Sequence, residues 1–411
     1  MTDVWLDPED AKVADLLEVL RDETPDYEYA DRIEQQVPLY DADRIRKEDQ
    51  REVQAELVHA LSDGPGIVVL KGAFGKDIVD ATTDEFNAMI RDQQTAGTAA
   101  GDHFAKPGAN DRVWNALEKL AVRAPEVFAA YYANDLLALT ARAWLGPAYQ
   151  VTSQVNVVNP GGEGQTVHRD YHLGFQSNEV AALYPAHVHK LSSVLTLQGA
   201  VAHCDMPVES GPTLYLPHSH KYELGYLAWR QPEFGEHFVA HHVQLPLEKG
   251  DAVFFNPALF HAAGSNRSAG IFRMANLLQI SSAFGRAMES VDRVRMAVTL
   301  YPVLRKLRQD GAFPPATLDN IIAGRRRRLR FSDQPGSGPA DRRSRSADPG
   351  RAGPAGPRRG LAGRSPADRP RRVRRTPPYG RQLKEKAWNR FASESSAPPG
   401  SQVGRSSNRP G

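Results

Sequence analysis

Residues 250–261 read Gly-Asp-Ala-Val-Phe-Phe-Asn-Pro-Ala-Leu-Phe-His. The glycine and aspartate predict a tight turn, the next four residues predict a short buried strand, and Asn-Pro ends that strand shortly before His261. Runs of the same kind recur through the middle of the chain, at residues 150–158, 191–201, 213–216, 242–247, 252–255 and 271–280. Many short strands joined by irregular loops predict a mainly β fold, in the form of a sandwich or a jelly roll with helical cover.

Helical patterns flank this strand-rich part. Helix-forming residues with apolar side chains at helical spacing lie at 9–22, 43–62, about 75–92, 124–145 and about 286–309, and a single buried strand is expected at 66–70. We therefore expect four regions, which are an N-terminal helical region at 1–64, a jelly-roll domain at 65–285, a C-terminal helical cover at 286–324 and a tail at 325–411.

The tail differs sharply in composition from the rest of the chain. Residues 325–411 carry 23 basic and 6 acidic side chains and residues 1–324 carry 28 and 43, so the formal net charge of +2 is the sum of +17 and −15. Because the tail holds 21 Arg with only two Lys and shows no apolar periodicity, we predict that it is disordered. Three interpretations stay open: an arm that binds nucleic acid or another anionic surface, a solvated tail without a partner, or a shifted reading frame in a GC-rich gene.

Composition excludes several classes of protein. The single cysteine, Cys204, excludes an intrachain disulfide framework and a cysteine-rich zinc site. The acidic start of the sequence lacks the pattern of a secretory leader, and no apolar run approaches the roughly 20 residues that a membrane span needs. We therefore expect a soluble, cytoplasmic protein without a membrane partner, in an oligomeric state that the sequence leaves open.

Histidines are concentrated in the strand-rich part. Eleven of the 13 lie within residues 168–261, and histidine is the commonest ligand of transition metals. Four short clusters are therefore candidate metal sites: His168-Arg169-Asp170, His187-Val188-His189, His203-Cys204-Asp205 and His218-Ser219-His220.

The first cluster fits a facial site of two histidines and one carboxylate. Residues i and i+2 of a strand point the same way, so His168 and Asp170 offer two ligands to one ion. A distant strand must supply the third, and His261 is suitably placed after the strand at 252–255. Such a site leaves three positions of an octahedral iron open.

Arg273 follows in the next strand, where a buried arginine needs an anionic partner, and a dicarboxylate co-substrate such as 2-oxoglutarate would supply one.

Three ordered stretches resemble the phytanoyl-CoA dioxygenase family of Fe(II)- and 2-oxoglutarate-dependent oxygenases. They are Thr-Val-His-Arg-Asp-Tyr-His at 166–172, Glu-Ser-Gly-Pro-Thr-Leu-Tyr-Leu-Pro-His-Ser-His-Lys at 209–221, and the segment that runs from Glu-Lys-Gly-Asp at 248–251 to Arg273. The resemblance covers about residues 50–285. It implies a double-stranded β-helix core, cupin-like in shape, and the use of Fe(II), 2-oxoglutarate and O2.

The resemblance also assigns roles to residues. It implies that His168, Asp170 and His261 bind iron and act in catalysis, and that Arg273 binds 2-oxoglutarate. The clusters at 203–205 and 218–220 become structural, and those at 187–189 become loop residues or substrate contacts. Gln154 and Asn156, which share one strand face, are further candidates for contact with the co-substrate. The residues that follow the metal motif are candidate substrate contacts: Tyr171, His172, Phe175 and Gln176.

This chain departs from the family pattern at several positions. His218 stands where the family usually has glycine, and Ala263 stands where some members carry a hydroxyl that helps to hold the co-substrate. Asn159-Pro160 replaces a Lys-Pro pair of some members, and Arg273 lies one residue further from His261 than in some of them. These changes leave the iron ligands intact but alter the expected contacts of 2-oxoglutarate.

The resulting functional hypothesis is an oxygenase that hydroxylates an aliphatic C–H bond of a small molecule and converts 2-oxoglutarate to succinate and CO2. Because Asp170 is present, no ligand position is vacated for a halide, and hydroxylation is favoured over halogenation. The sequence does not distinguish among an acyl-CoA, an amino acid and a natural product as substrate. Two alternatives stay open, a non-catalytic cupin-like metal protein and a nucleic-acid binder that acts through the basic tail.

Overall fold

A computed structural model of the chain describes residues 4–98 and 108–323, so the predicted disorder and nucleic-acid binding of 325–411 lie outside the described residues. The strands are β1 (Arg32–Glu34), β2 (Val37–Asp41), β3 (Ile67–Lys71), β4 (Asn110–Val113), β5 (Gln150–Val158), β6 (Thr196–Ala202), β7 (Leu214–Leu216), β8 (Val243–Gln244), β9 (Ala252–Phe255), β10 (Phe260–Ala262) and β11 (Arg273–Ser281). The α-helices are α1 (Val13–Val19), α2 (Ala42–Ile45), α3 (Gln50–Ser62), α4 (Lys76–Thr95), α5 (Ala116–Arg123), α6 (Pro125–Tyr132), α7 (Asp135–Leu145), α8 (Asn178–Ala181), α9 (Ala186–Val194), α10 (Gly225–Ala228), α11 (Pro232–His241), α12 (Arg293–Gln309) and α13 (Pro315–Ala323).

Two sheets enclose the core. Eight strands form a large mixed sheet in the order β1-β2-β3-β9-β6-β11-β5-β4, and three form a small sheet in the order β10-β7-β8. Strands β2 and β3 run parallel, whereas β11 runs antiparallel to both of its neighbours. A cluster of buried apolar side chains takes members from both sheets: Val37, Leu39, Ile67, Val69, Ala200, Tyr215, Leu245, Val253, Phe255 and Leu259. Removal of this apolar surface from water is the main favourable contribution to folding.

Strand β11 alternates between the two faces of the large sheet. Ala275 and Leu277 pack against the inter-sheet cluster, so their face is the inner one. The register places Ala275 opposite Asn156 and Leu277 opposite Gln154 on β5. Because residues that pair across antiparallel strands share a face, Gln154 and Asn156 also point inward, and period two adds Arg273 to the same face.

The outer face of the large sheet is covered by helices. Asn276 on β11 donates to the hydroxyl of Tyr131 on α6 at 3.2 Å. The Tyr131 hydroxyl lies 3.0 Å from His203 Nε2, and His203 Nδ1 lies 2.8 Å from Thr83 Oγ1 on α4. Burial lowers the pKa of His203 to about 3, so this histidine is neutral. The chain of hydrogen bonds ties α4 and α6 to the sheet.

The prediction of a mainly β protein is not confirmed, because the large sheet is mixed and helices hold 44% of the described residues. The physical reason is that the central strands need cover on both faces, as the burial of all nine residues of β5 shows. The helix expected at 124–145 is two helices, since Asn134 interrupts it and caps α7 by accepting from the Leu137 amide at 2.8 Å. The strand expected at 191–201 is the end of α9 followed by β6. None of the described helices is long and apolar enough to cross a membrane.

Candidate iron centre

Two segments that are far apart in sequence meet in a short antiparallel bridge. The His168 amide donates to the His261 carbonyl at 2.9 Å, and the His261 amide donates back to the His168 carbonyl at 3.1 Å. The Asp170 amide donates to the Pro257 carbonyl at 2.9 Å, which continues the contact beyond β10. The bridge therefore brings the His-x-Asp motif beside the distal histidine.

The three side chains converge on one point. His168 Nε2 lies 3.9 Å from Asp170 Oδ1, and His261 Nε2 lies 3.5 Å from Asp170 Oδ2. One ligand atom from each residue can be chosen so that all three lie within 4.8 Å of one another. Among the described residues, no other group of histidine, cysteine and acidic side chains meets this spacing.

Backbone carbonyls set the tautomers of both histidines. His168 Nδ1 lies 2.9 Å from the Thr166 carbonyl, and His261 Nδ1 lies 2.8 Å from the Leu259 carbonyl. Since a carbonyl only accepts, each Nδ1 carries a proton, which leaves Nε2 as the nitrogen that can bind a metal ion. In both histidines Nε2 is the nitrogen that faces the Asp170 carboxylate.

The carboxylate of Asp170 is held in its ionised form. Burial raises its pKa, but the nearby His168 and His261 and the hydrogen bond from Gln198 outweigh burial and hold the pKa well below its usual range. Gln198 Nε2 on β6 donates to Asp170 Oδ2 at 2.5 Å. Two imidazole nitrogens and one ionised carboxylate form a donor set that suits Fe(II).

Arg169, between two of these residues, points the other way. Its guanidinium is buried and donates to the backbone carbonyls of Ser219 and Tyr222, the latter at 3.1 Å. A Cβ on Gly225 would clash with the Arg169 guanidinium, so any larger residue there would displace the arginine from its buried position. The histidine-rich segment at 218–220 thus anchors the metal-binding motif from behind.

Tyr171 adopts a backbone conformation that is rare for its type. Its φ is 47° and its ψ is 149°, a strained region for a residue with a Cβ. The buried hydroxyl donates to Gln279 Oε1 and lies 2.9 Å from Met288 Sδ. These contacts hold the turn that follows Asp170.

The other predicted substrate contacts lie nearer the surface. His172 and Gln176 are half-buried, and Phe175 is 52% exposed, with its ring 5.5 Å from that of Tyr171. Of the four predicted substrate contacts, only Tyr171 is buried in the protein interior.

Arg273 lies on the inner face and is 5% exposed. Burial lowers its pKa to about 10, so it stays charged at neutral pH. Its Nε is buried without a hydrogen-bond partner, and within the described part of the chain no carboxylate forms an ion pair with it. A buried charge without a counter-ion is costly, and a dicarboxylate ligand supplies the missing partner.

Gln154 and Asn156 share that face but are already engaged. The Gln154 carbonyl oxygen accepts from Arg112, and the Asn156 carbonyl oxygen accepts from Asn110 at 3.3 Å. Gln154 Nε2 also lies 3.9 Å from Met288 Sδ. Both residues therefore belong to a polar network that extends from the inner face of β5 to β4.

The competing histidine clusters have other partners. His189 Nε2 lies 3.0 Å from the Ala181 carbonyl, and His220 Nε2 lies 2.9 Å from the Ser62 carbonyl. His187 is exposed on α9.

His218, at the position where the family usually has glycine, has a φ of 68°, a conformation that favours glycine. Its Nε2 lies 3.1 Å from Gln36 Oε1, so the imidazole binds the N-terminal segment instead of facing the iron centre.

Three polar residues near the centre were not anticipated from the sequence: Gln198, Gln279 and Tyr215. Gln198 and Gln279 are paired across β6 and β11, and Gln198 contacts Asp170 whereas Gln279 contacts Tyr171. Tyr215 lies opposite His261 in the small sheet. The alternation of β6 and β11 indicates which of their residues share a face, but only the packing of the sheets shows what those residues touch.

Three features of this structure are together typical of non-haem iron oxygenases that use a 2-oxo acid. They are a core between two sheets, a cluster of two histidines and one carboxylate, and a buried arginine without a counter-ion. The chain belongs to the phytanoyl-CoA dioxygenase (PhyH) family, because the model of that family matches residues 62–275, just over half of the 411 residues. The family resemblance is confirmed, and with it the cofactor set of Fe(II), 2-oxoglutarate and O2.

Solved structures with a similar chain path include two enzymes of nogalamycin biosynthesis and HygX. The 2-oxoglutarate-dependent epimerase SnoN from nogalamycin biosynthesis is 18% identical, with 57% of this chain and 84% of that chain covered and a TM-score of 0.37. The carbocyclase SnoK from the same biosynthesis is 21% identical, with 56% and 83% covered and a TM-score of 0.40. HygX from Streptomyces hygroscopicus, solved with nickel, 2-oxoglutarate and hygromycin B, is 16% identical, with 58% and 90% covered and a TM-score of 0.41. A search of curated proteins found no match.

Proposed function

We propose that this protein hydroxylates an aliphatic C–H bond of a polar small molecule, with 2-oxoglutarate and O2 as co-substrates. The observation that carries the proposal is the convergence of His168, Asp170 and His261 within 4.8 Å. In this proposal the three side chains hold Fe(II), which when bound supplies the oxygen-activating chemistry that protein side chains lack.

The protein's own groups have definite tasks in this proposal. The Thr166 and Leu259 carbonyls accept from the Nδ1 atoms of the two histidines and so direct each Nε2 towards the metal, and Gln198 holds the carboxylate of Asp170 in place. Arg273 binds the distal carboxylate of 2-oxoglutarate and so orients its 2-oxo acid end towards the three ligands. Hydroxylation, rather than halogenation, follows from the retention of Asp170 as the third ligand.

The polar network around β5 favours a polar substrate over a long acyl chain. Tyr171, next to the ligand Asp170, reaches Met288, which in turn contacts Gln154. Glu289 follows, and its Oε1 accepts from the Asn115 amide at 2.7 Å while its buried Oε2 has no hydrogen-bond partner in the described part of the chain. Burial raises the pKa of Glu289. A substrate that brings a hydroxyl or amine donor would satisfy that oxygen.

The test is an assay of the purified chain with Fe(II), 2-oxoglutarate and 18O2 against a panel of small molecules. We expect succinate release that depends on substrate, and a product that has gained one labelled oxygen atom. An epimerised product of unchanged mass, or a cyclised product that has lost hydrogen, would contradict hydroxylation while leaving the oxygenase class in place. His261→Ala is expected to abolish turnover, and the exposed His241→Ala is the matched control. Absence of turnover with every substrate, together with intact metal binding, would favour a non-catalytic metal protein.

We also propose that the protein acts in the cytoplasm, which its single cysteine supports.

A further inference from the structure

Tyr215 carries a buried hydroxyl that nothing in the described part of the chain satisfies. The residue is 5% exposed, and its hydroxyl oxygen has no hydrogen-bond partner there. The side chain of Thr213, two residues earlier in the chain, lies near this oxygen and lowers the pKa of Tyr215, against the larger opposing effect of burial. A buried donor without an acceptor costs free energy, so a ligand atom is the natural partner.

The position of Tyr215 connects the iron centre with Arg273. In the small sheet Tyr215 lies directly opposite His261. Its ring centroid is 5.1 Å from that of Phe255, which is 4.8 Å from that of His261. At its other end, Tyr215 lies close enough to Arg273 for each to influence the pKa of the other.

Packing also brings Tyr215 near the inner face of β11, because Tyr215 belongs to the inter-sheet cluster against which Ala275, two residues from Arg273, packs. Two groups without hydrogen-bond partners therefore come from two sheets, Arg273 from β11 in the large sheet and the Tyr215 hydroxyl from β7 in the small sheet. Both are donors, and neither has an acceptor among the described residues. One anion with two oxygens would accept from both, whereas a water molecule would leave the charge of Arg273 without a counter-ion.

We propose that the Tyr215 hydroxyl donates a hydrogen bond to the distal carboxylate of 2-oxoglutarate, beside Arg273. This inference rests on the proposed role of Arg273 as the co-substrate arginine. It also accounts for Ala263, which lacks the hydroxyl that some family members have at that position, because the hydroxyl comes from the neighbouring strand β7. Tyr215 is thus a co-substrate-binding residue that distinguishes a dicarboxylate from a simple 2-oxo acid.

The experiment compares two ligands that differ in the distal carboxylate. Isothermal titration calorimetry of the full chain, anaerobic and saturated with Fe(II), measures the Kd of 2-oxoglutarate and of 2-oxopentanoate. We expect Tyr215→Phe to weaken 2-oxoglutarate binding about tenfold or more, in keeping with the loss of a hydrogen bond to a charged group. Binding of 2-oxopentanoate is expected to change less than about twofold, because that ligand offers no acceptor to the hydroxyl.

Tyr40→Phe is the matched control. Tyr40 is fully buried, and its hydroxyl also has no hydrogen-bond partner in the described part of the chain, but it lies on β2 away from the iron centre. We expect this variant to bind both ligands as the wild type does. If Tyr215→Phe does not fold, Tyr215→Met keeps much of the buried volume without the hydroxyl and takes its place.

Each remaining outcome is decisive. An unchanged Kd for 2-oxoglutarate in Tyr215→Phe, or an equal loss for both ligands, overturns the role of Tyr215. Arg273→Ala serves as the reference and should weaken the binding of 2-oxoglutarate but not that of 2-oxopentanoate. If Arg273→Ala has no such selective effect, the proposed co-substrate arginine is wrong and the role of Tyr215 is lost with it. If Arg273→Ala has this selective effect and Tyr215→Phe does not, only the inference about Tyr215 fails.

Discussion

Gln198 Nε2 donates to Asp170 Oδ2 at 2.5 Å, so a strand in the middle of the large sheet orients the carboxylate of the candidate iron centre. Gln198 is 4% exposed, and its side chain has no freedom to leave this contact without vacating a buried position. The triad is therefore supported from the large sheet as well as from the bridge between residues 168 and 261.

We predict that Gln198→Ala weakens metal binding about 10- to 100-fold, which is the usual effect of removing a hydrogen bond to a metal ligand. The measurement is an anaerobic Fe(II) titration followed by calorimetry. Gln94→Ala on the exposed side of α4 is the control and should leave the affinity unchanged. Equal metal affinities of Gln198→Ala and wild type would show that Asp170 does not need this support.

Arg273 should affect the co-substrate and not the metal. We predict that Arg273→Ala raises the KM for 2-oxoglutarate about 100-fold, because a buried charge-assisted pair is lost, and that Arg273→Lys raises it less, because the charge remains but the bidentate geometry does not. The affinity for Fe(II) should be unchanged in both. Steady-state succinate release checks this prediction, with the exposed Arg267→Ala as the control. A loss of Fe(II) binding in Arg273→Ala would contradict it.

Buried His203 should make the fold sensitive to acid. Its pKa is about 3 in the folded protein because of burial, whereas an unfolded histidine has a pKa near 6.5. Between these values the unfolded chain binds a proton that the folded chain does not, so the free energy of unfolding falls as the pH falls from about 6.5 towards about 3. The expected contribution is about 1.4 kcal/mol per pH unit within that window, and it is absent above it.

Urea unfolding at several pH values between neutrality and pH 5 measures this slope. His203→Gln should be less stable at neutral pH, because it disturbs the contacts with Thr83 and Tyr131, but its stability should depend less on pH. His59→Gln, at an exposed position, should keep the wild-type slope. An identical slope in His203→Gln and wild type would mean that other groups dominate the acid response.

Glu289 is expected to contribute to substrate choice. In a screen by succinate release, we predict that amino acids, amino sugars or polyols stimulate turnover more than acyl thioesters do. For the substrate found, Glu289→Gln should raise the KM about tenfold, because a donor on the substrate loses its charged acceptor. The exposed Glu236→Ala on α11 is the control. A preferred acyl thioester whose KM is insensitive to Glu289→Gln would contradict the proposal of a polar substrate.

Much of the candidate centre could be predicted locally. The period of two in a strand places His168 and Asp170 on one side and Arg169 on the other, and the structure has this arrangement. The short strands around residues 252–255 and 214–216 were also predicted from their turn residues and apolar runs. These features depend on a few neighbouring residues, so a single sequence contains the information.

The helical share of the fold could not be predicted in the same way. Residues 191–194 have strand-like composition but end α9, because the Ser192 hydroxyl donates to the Tyr171 carbonyl and His189 is buried against Ala181. Contacts with segments elsewhere in the chain override weak local preference at such positions. Counting strand-like runs alone therefore overestimated the β content.

The sequence by itself determined the family, the types of donor atoms and their order along the chain, because these depend on residue identity and on local periodicity. Only the tertiary structure decided that His261 lies across a bridge from His168, that Gln198 holds Asp170, and that Tyr215 lies opposite His261 in the small sheet. Those relationships depend on the register and packing of strands that are distant in sequence. Register is set by the whole buried core, since a shift of one residue would turn every inward side chain outward.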